Sequence, residues 1–316
     1  MRGPQRIVLG TRGSELARAQ TRLVEQALRN AFPELNMEVR VITTTGDEGR
    51  PLPNELIDPR AGRKGVFTRE IEQALERGEI DVAVHSAKDL PSDAPDDLEI
   101  CATLPRAAVE DVLLFKEAAD LNSLPRNAIV ATGSVRRQHQ LRWKRADLRF
   151  VDLRGNVPTR LRKLVKSDWN AIILARAGLE RLGYNLSNHA LDYDADSLHV
   201  EFLSSSDFLP AGGQGVIAIQ ARTGDKTVGD LVVSISDSPT LLALRAEREF
   251  LRLLQADCNS PVGVLATIDS QVLTLRAQVF ETTNVEPKMG EVRSSLGEEE
   301  PETISGRLHA LMYGQK

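Results

Sequence analysis

Two clusters of side chains and one thiol in this 316-residue chain have the types and spacing to do chemistry. Between Gly133 and Lys166 the run GSVRRQHQLRWKRADLRFVDLRGNVPTRLRKLVK carries eleven Lys or Arg against two acids, Asp147 and Asp152. That is a local charge of +9 in a chain whose formal balance is −5. Charge this uneven marks a surface for a polyanion or a multiply anionic small molecule. The second cluster, Ala83-Val84-His85-Ser86-Ala87-Lys88-Asp89-Leu90-Pro91, delivers a hydroxyl, an ammonium and a carboxylate at the end of an apolar run. A carboxylate set among cations is favoured in its ionised form and can balance a cation formed during reaction. The spacing fits equally well a structural ion pair between Lys88 and Asp89. His85 reads as a packed strand residue rather than a base. Cys258 lies in LQADCNSPVG, a turn between a helix and a strand. There a thiol can be offered to a ligand, the alternative being a buried, inert cysteine.

The elements that must present these groups can be read from periodicity and caps. Residues 6–11 read as a strand ending at Gly10-Thr11-Arg12. Ser14 suits a helix N-cap, and apolar residues at 16, 23, 24, 27, 28 and 31 follow at helical spacing, with the aliphatic stem of Gln20 on the same face. Residues 37–44 alternate as a strand, 46–66 form a glycine- and proline-rich loop, 68–77 a helix stopped by Gly78, and 81–85 a strand. A second unit repeats the rhythm: strand 128–131, a helix capped by Ser134 and running to Lys144, strand 148–153, a helix capped by Asn156 with Pro158 in its first turn, strand 171–175 and helix 178–182. On this map Arg12, Arg136, Arg137, Arg154 and Arg160 all fall at strand ends or helix starts, where backbone N–H groups and the helix dipole favour anions. Guanidinium pairs bidentately with carboxylate, so the pattern suits a ligand bearing several carboxylates or phosphates. Arg142, Lys144, Arg145, Arg162, Lys163 and Lys166 read instead as a solvated basic face.

Alternation of strand and helix implies α/β architecture with mostly parallel sheets, helices on both faces, and a ligand crevice at the carboxyl ends of the strands. After Pro210-Ala211-Gly212-Gly213-Gln214-Gly215 come a strand at 216–219 and a long helix from Pro239 to about 256. An antiparallel pair at 262–268 and 272–280 and a last helix near 300–312 complete a small α+β tail. The division this supports is 1–105 with 211–234, 106–210, and 235–316. Apolar residues make up 41% and charged residues 27%, an ordinary globular balance. Aromatics at 4% and an acidic whole argue against a base-stacking or nucleic-acid-binding protein. Cys101 and Cys258 lie far apart, with neither a disulfide framework nor metal-ligand spacing, so no metal is expected. No run approaches 18 apolar residues, and the opening MRGPQRIVLGTRG has no signal-peptide region. The expected location is therefore the cytoplasm, away from membranes.

Taken in order, GTRGSELARAQ at 10–20, RKGVFTREIEQAL at 63–75, DVAVHSAKDLPSDAP at 81–95, ATGSVRRQHQL at 131–141, LRGNVPTRLRKL at 153–164, AIILARAGLERLG at 171–183, PAGGQGVIAIQAR at 210–222 and the Cys258 loop resemble the hydroxymethylbilane synthases, or porphobilinogen deaminases. The resemblance covers nearly the whole chain. It implies two doubly wound, periplasmic-binding-protein-like α/β domains around a cleft plus a small α+β C-terminal domain carrying a cysteine. It implies head-to-tail condensation of four porphobilinogen molecules with loss of ammonia, on a dipyrromethane cofactor held by a thioether from the position of Cys258. The family's catalytic aspartate falls on Asp89. Its cofactor-binding groups fall on Ser86, Lys88, Asp89, Ser134, Arg136 and Arg137, and its substrate-binding groups on Arg12, Ser14, Lys64, Arg154, Arg160 and Arg181. A monomer is implied.

The chain departs from the family pattern at Ala256-Asp257 before the cysteine, at Arg176, expected to add a cation near the second-domain arginines, and at Thr132-Gly133-Ser134-Val135. Porphobilinogen carries an acetate and a propionate, so each added pyrrole brings two more negative charges to one cleft, and loss of ammonia leaves an azafulvene-type cation. Two other readings use the same residues. An exported anion receptor would share the architecture but need no cysteine on a third domain. A nucleic-acid binder would use 133–166 and show salt-sensitive affinity.

Overall fold

The computed structural model describes residues 6–43, 68–93, 95–194, 196–257, 259–281 and 286–314. In chain order, β1 (Arg6–Arg12), α1 (Glu15–Ala31), β2 (Asn36–Ile42), α2 (Arg69–Glu76), β3 (Val82–Ser86) and β4 (Leu98–Thr103) build the first unit. The chain then crosses to β5 (Asp111–Phe115), β6 (Ile129–Ala131), α3 (Val135–Lys144), β7 (Arg149–Val151), α4 (Val157–Lys166), β8 (Ala171–Ala175), α5 (Arg176–Arg181), β9 (Ala190–Tyr193) and β10 (Asp196–Leu203). It returns as β11 (Ile217–Arg222) and α6 (Lys226–Val233), and finishes with α7 (Ser238–Leu253), β12 (Val262–Asp269), β13 (Val272–Val279), β14 (Lys288–Ser295) and α8 (Pro301–Tyr313).

The strands form three sheets, ordered β2-β1-β3-β11-β4, β7-β6-β8-β5-β10-β9 and β12-β13-β14. Period-two alternation explains the layering of the first two. On β1, Ile7 and Leu9 join the core under α1 with Val24 and Leu28, while Val8 turns to the opposite core with Ile71 and Leu75 of α2. On β5, Val112 and Leu114 enter one core and Leu113 and Phe115 the other. Each such side chain, withdrawn fully from water, contributes about 1.5–3 kcal/mol. In the third unit Phe250 of α7 and Leu308 of α8 cover one face of the antiparallel sheet. Its β12–β13 hairpin pairs Asp269 with Val272, and Ser270 and Gln271 both take positive φ, 49° and 69°, as a two-residue primed turn requires.

The expectation of mostly parallel sheets is corrected. β1 pairs in parallel with β2 and β3, and β6 with β7 and β8. However, β11 runs antiparallel between β3 and β4, and β5 antiparallel between β8 and β10. Each of these strands arrives from the other sheet instead of through a helical crossover, so nothing forces it to run parallel. Two crossovers, 104–110 and 204–216, therefore join the first two sheets, and they lie against each other: Ala107 N donates to Gly215 O at 3.1 Å and Arg106 Nε to Gln214 O at 3.0 Å.

Candidate active site

Because β1, β2 and β3 are parallel, their carboxyl ends share one edge of the first sheet. β1 delivers Arg12 there, and Ser14 caps α1 by accepting from Ala17 N at 3.2 Å. β3 delivers Ser86, and a single 3-10 turn, Ala87–Asp89, then carries Lys88 and Asp89 to the surface of the edge. Arg12 Nη1 lies 4.0 Å from Asp89 Oδ2, and the carboxylate is 40% exposed. Among the described residues Asp89 thus makes its ion pair with Arg12, not with its neighbour Lys88. A pocket of about 50 Å³ opens between Arg12, Ser14, Gln20, His85, Ser86 and Asp89. Gln20, expected only to lend its stem to the apolar face of α1, is 3% exposed and exchanges hydrogen bonds with the Ser86 hydroxyl at 2.8 and 3.0 Å. His85 is packed as expected. Its Nε2 lies 3.0 Å from Gln220 Oε1, and burial pushes the imidazole down to about 4, with the Gln220 hydrogen bond opposing.

The second sheet supplies the facing wall. Ser134 caps α3 by accepting from Arg137 N at 3.4 Å, and Asn156 caps α4 by accepting from Thr159 N at 3.0 Å. The sequence presents Arg136 and Arg137 as open guanidiniums, and here the structure differs: they are only 5% and 6% exposed, both gripped by Asp111. Arg136 Nη2 donates to Asp111 Oδ2 at 2.7 Å, and Arg137 Nη2 and Nε donate to Oδ1 at 2.6 and 3.1 Å. Burial would raise the Asp111 carboxyl, but Arg136 and Arg137 outweigh it and hold the group below the usual carboxylate range. Arg160 donates from Nε to Gly155 O at 2.7 Å, while Arg154, largely exposed, pairs with Asp152 at 2.5 Å. Arg181 gives Nη2 to Gly215 O at 2.6 Å, and burial pulls its guanidinium down to about 10. Arg176 is turned to other partners: it lies 4.8 Å over the Phe202 ring and pairs with Glu180 at 2.7 Å and Glu110 at 3.8 Å. The outer basic residues are occupied as a surface face would be, Lys144 with Asp207, Arg145 with Asp147 and Arg142 over Phe150.

The two walls meet electrostatically. Lys88, from the first sheet, lies within the fields of Arg137, Asp89, Asp111 and Arg136, and Arg160 within those of Arg137, Asp89 and Asp152. Lys88 is exposed as a residue, yet its ammonium is partly dehydrated by the groups around it; that dehydration first and Arg137 second push it down to about 8, with Asp89 and Asp111 pulling the other way. Arg12, Lys88 and Arg160 thus lie around the open carboxylate of Asp89, with Arg137 behind Lys88 and Arg160, an arrangement chemically able to pair with several carboxylates and to balance a cation. The turn bearing Lys88 and Asp89 is braced by Gly213 at φ +74°, where an added Cβ would lie 3.0 Å from Ala87 C and Lys88 N.

Lys64, the 46–66 loop and Cys258 lie outside the described residues. Beside Cys258, the Asp257 carboxylate accepts from Asn259 N at 2.9 Å and from Ser260 Oγ at 2.8 Å, so the acid in the glycine position closes its own turn. Sequence reasoning missed Gln20, Asp111 and Gln214. Gln20 is a polar residue on an apolar helical face, and Asp111 is an acid heading the apolar strand DVLLF; both were readable signals of a buried polar role. Among the described residues no group of three or more His, Cys, Asp or Glu could hold a metal ion, and no helix is long and apolar enough to cross a membrane.

Two family models match the chain. Residues 7–230 match "Porphobilinogen deaminase, dipyromethane cofactor binding domain" and residues 241–314 match "Porphobilinogen deaminase, C-terminal domain". A porphobilinogen deaminase of Moorella thermoacetica is 43% identical over 277 residues, covering 86% of this chain and 82% of the relative. One of Thermus thermophilus is 43% identical over 263 residues, covering 83% and 81%. Among solved structures, the methionine binding protein MetQ overlays with a TM-score of 0.45 at 13% identity, covering 75% of this chain and 92% of that one. So distant a likeness says nothing of function.

Proposed function

The chain belongs to the porphobilinogen deaminase family, and we propose that the cleft just described carries out that family's reaction. The protein is a hydroxymethylbilane synthase, a transferase of tetrapyrrole biosynthesis that condenses four porphobilinogen molecules head to tail on a dipyrromethane primer. In each cycle the substrate's C–N bond breaks, ammonia leaves, a C–C bond forms and a pyrrole α-proton departs. The observation that carries this reading is the convergence of Arg12, Lys88 and Arg160, from two sheets, on the open carboxylate of Asp89, with Arg137 close enough for its field to reach both Lys88 and Arg160.

The residues present fit a dipyrromethane group. Its two pyrroles bear acetate and propionate side chains, and no described residue makes a hydrogen bond or ion pair with Lys88, whose field Arg137 shares. Ser86, Lys88, Asp89, Ser134 and Arg137, with Arg136 behind it, would hold the group once a thioether ties it to Cys258. When bound, it supplies the free pyrrole carbon that accepts the first substrate unit. Arg12, Ser14, Lys64, Arg154, Arg160 and Arg181 are assigned to the substrate's carboxylates, where bidentate guanidinium pairing fixes orientation. Arg181 already gives one N–H to Gly215 O, so it offers the ligand its remaining donors. Asp89 faces the positive charge that develops as ammonia leaves and accepts the pyrrole N–H, the one stabilising the transition state, the other positioning the ring.

The three-domain division at 1–105 with 211–234, 106–210 and 235–316 is supported by the strands themselves, since among the described residues no sheet mixes strands from two of these segments. The reading includes a monomer working in the cytoplasm, and Cys101, a half-buried free thiol, suits a reducing compartment. Incubation of the purified protein with porphobilinogen tests the reading: ammonia should be released in step with substrate loss and a linear tetrapyrrole should accumulate. Unchanged porphobilinogen would overturn it.

A further inference from the structure

Asp111 is wholly buried and has a role that the reaction as described leaves unused. It directly follows the outgoing crossover as the first residue of β5, paired in register with Ala175 and Leu203. Its two oxygens take one hydrogen bond from Arg136, two from Arg137, and a fourth, at 3.0 Å, from Gln214 Nε2 on the returning crossover. The same Gln214 nitrogen reaches Val109 O at 2.7 Å.

Four features argue that this carboxylate does more than neutralise buried charge. Arg136 and Arg137 are consecutive in the first turn of α3, so their guanidiniums repel unless an anion is shared between them. One carboxylate serving two cations leaves a net positive charge in the wall, and Arg137 is the member whose field reaches both Lys88 and Arg160. The triad is not saturated, since Arg136 Nε is buried without a hydrogen-bond partner. Stability alone would be served as well by apolar side chains of similar volume.

We propose that Asp111 is a positioning residue of the anion-binding wall, a resident carboxylate that sets where Arg137 meets ligand carboxylates and fixes the arginine pair to the crossovers between the first two sheets. The inference rests on the function proposed above. A ligand that adds two carboxylates per cycle meets a guanidinium already aimed, and misplacement of such a group by about 1 Å can cost about 100-fold.

The test is Asp111→Asn, examined by intact mass and by steady-state kinetics well below its melting temperature. The share of molecules carrying the two-pyrrole adduct should fall about tenfold, and KM for porphobilinogen should rise about tenfold in those that carry it. Full adduct with KM and kcat within about twofold of wild type, and only the melting temperature lowered, would overturn the proposal. If Asp111→Asn does not fold, Asp111→Glu decides. It keeps the charge but displaces it by one methylene, so a KM raised about fivefold or more at near-native melting temperature supports positioning, and an unchanged KM overturns it. Absence of the adduct from the wild type would instead strike the proposed function.

Discussion

Asp89 stands where Arg12, Lys88 and Arg160 converge, 40% exposed and 4.0 Å from the nearer guanidinium nitrogen. Its replacement removes the anion that balances the developing cation but leaves a surface turn intact. Asp89→Asn should therefore fold with a native melting curve and lose about 10²–10³ in kcat; near-normal turnover would remove Asp89 from the mechanism. Lys88 gives the site a pH dependence. Its ammonium, pushed down to about 8, is charged at neutral pH and loses its proton as pH rises through that value, so KM for porphobilinogen should climb between pH 7 and 9. The effect on the empty fold has the opposite sense. The unfolded chain holds the Lys88 proton up to the ordinary lysine value of 10.5, so the contribution of Lys88 makes stability increase with pH between about 8 and 10.5. Lys88→Met should flatten both dependences, as pH-resolved kinetics and urea titrations would show. Much of this site was legible in the sequence because strand ends and N-caps can be read and the arginines fall on them. The pairing of Arg136 and Arg137 with Asp111 was not, because an acid heading the apolar run DVLLF signals a buried polar role but not which partners, about 25 positions away, it takes.

At the scale of elements, the Lys88–Asp89 turn depends on the Gly213 segment lying flat against it. Gly213 has φ +74° and no room for a Cβ beside Ala87 and Lys88. Gly213→Ala combines a left-handed backbone with a steric push on that turn, so it should cost about 1–2 kcal/mol and lower kcat about tenfold. A variant with wild-type kcat and stability would show that the turn is braced elsewhere. The caps at Ser14, Ser134 and Asn156 and the Gly78 stop were readable because a short polar side chain or a glycine there has one physical job. The direction of β5 and β11 was not readable. An apolar run such as DVLLF, buried at all five positions, carries neither alternation nor any mark of which sheet it enters. β14, with polar and exposed residues along a sheet edge, gives an equally weak pattern.

Across the whole molecule, one buried carboxylate joins all three units. Glu247 of α7 pairs with Arg106 of the outgoing crossover at 2.6 Å, accepts from Gly213 N of the returning crossover at 2.6 Å, and accepts from Ala266 N of β12 at 2.8 Å. The helix that leads to the Cys258 loop is thereby fixed to the two crossovers that join the first two sheets. Glu247→Gln leaves Arg106 without its counter-charge and should cost about 3–5 kcal/mol, measured as a lower urea midpoint; a midpoint unchanged from wild type would mean that the third unit is held by apolar packing alone. In this enzyme a cleft rich in cations, with Asp89 open among them, must keep a covalently tethered, many-carboxylate chain in place. Intact-mass measurement of the purified protein tests this most directly. The mass should exceed that of the polypeptide by two pyrrole units, and the excess should vanish in Cys258→Ser. A folded wild-type protein of unmodified mass would contradict the account.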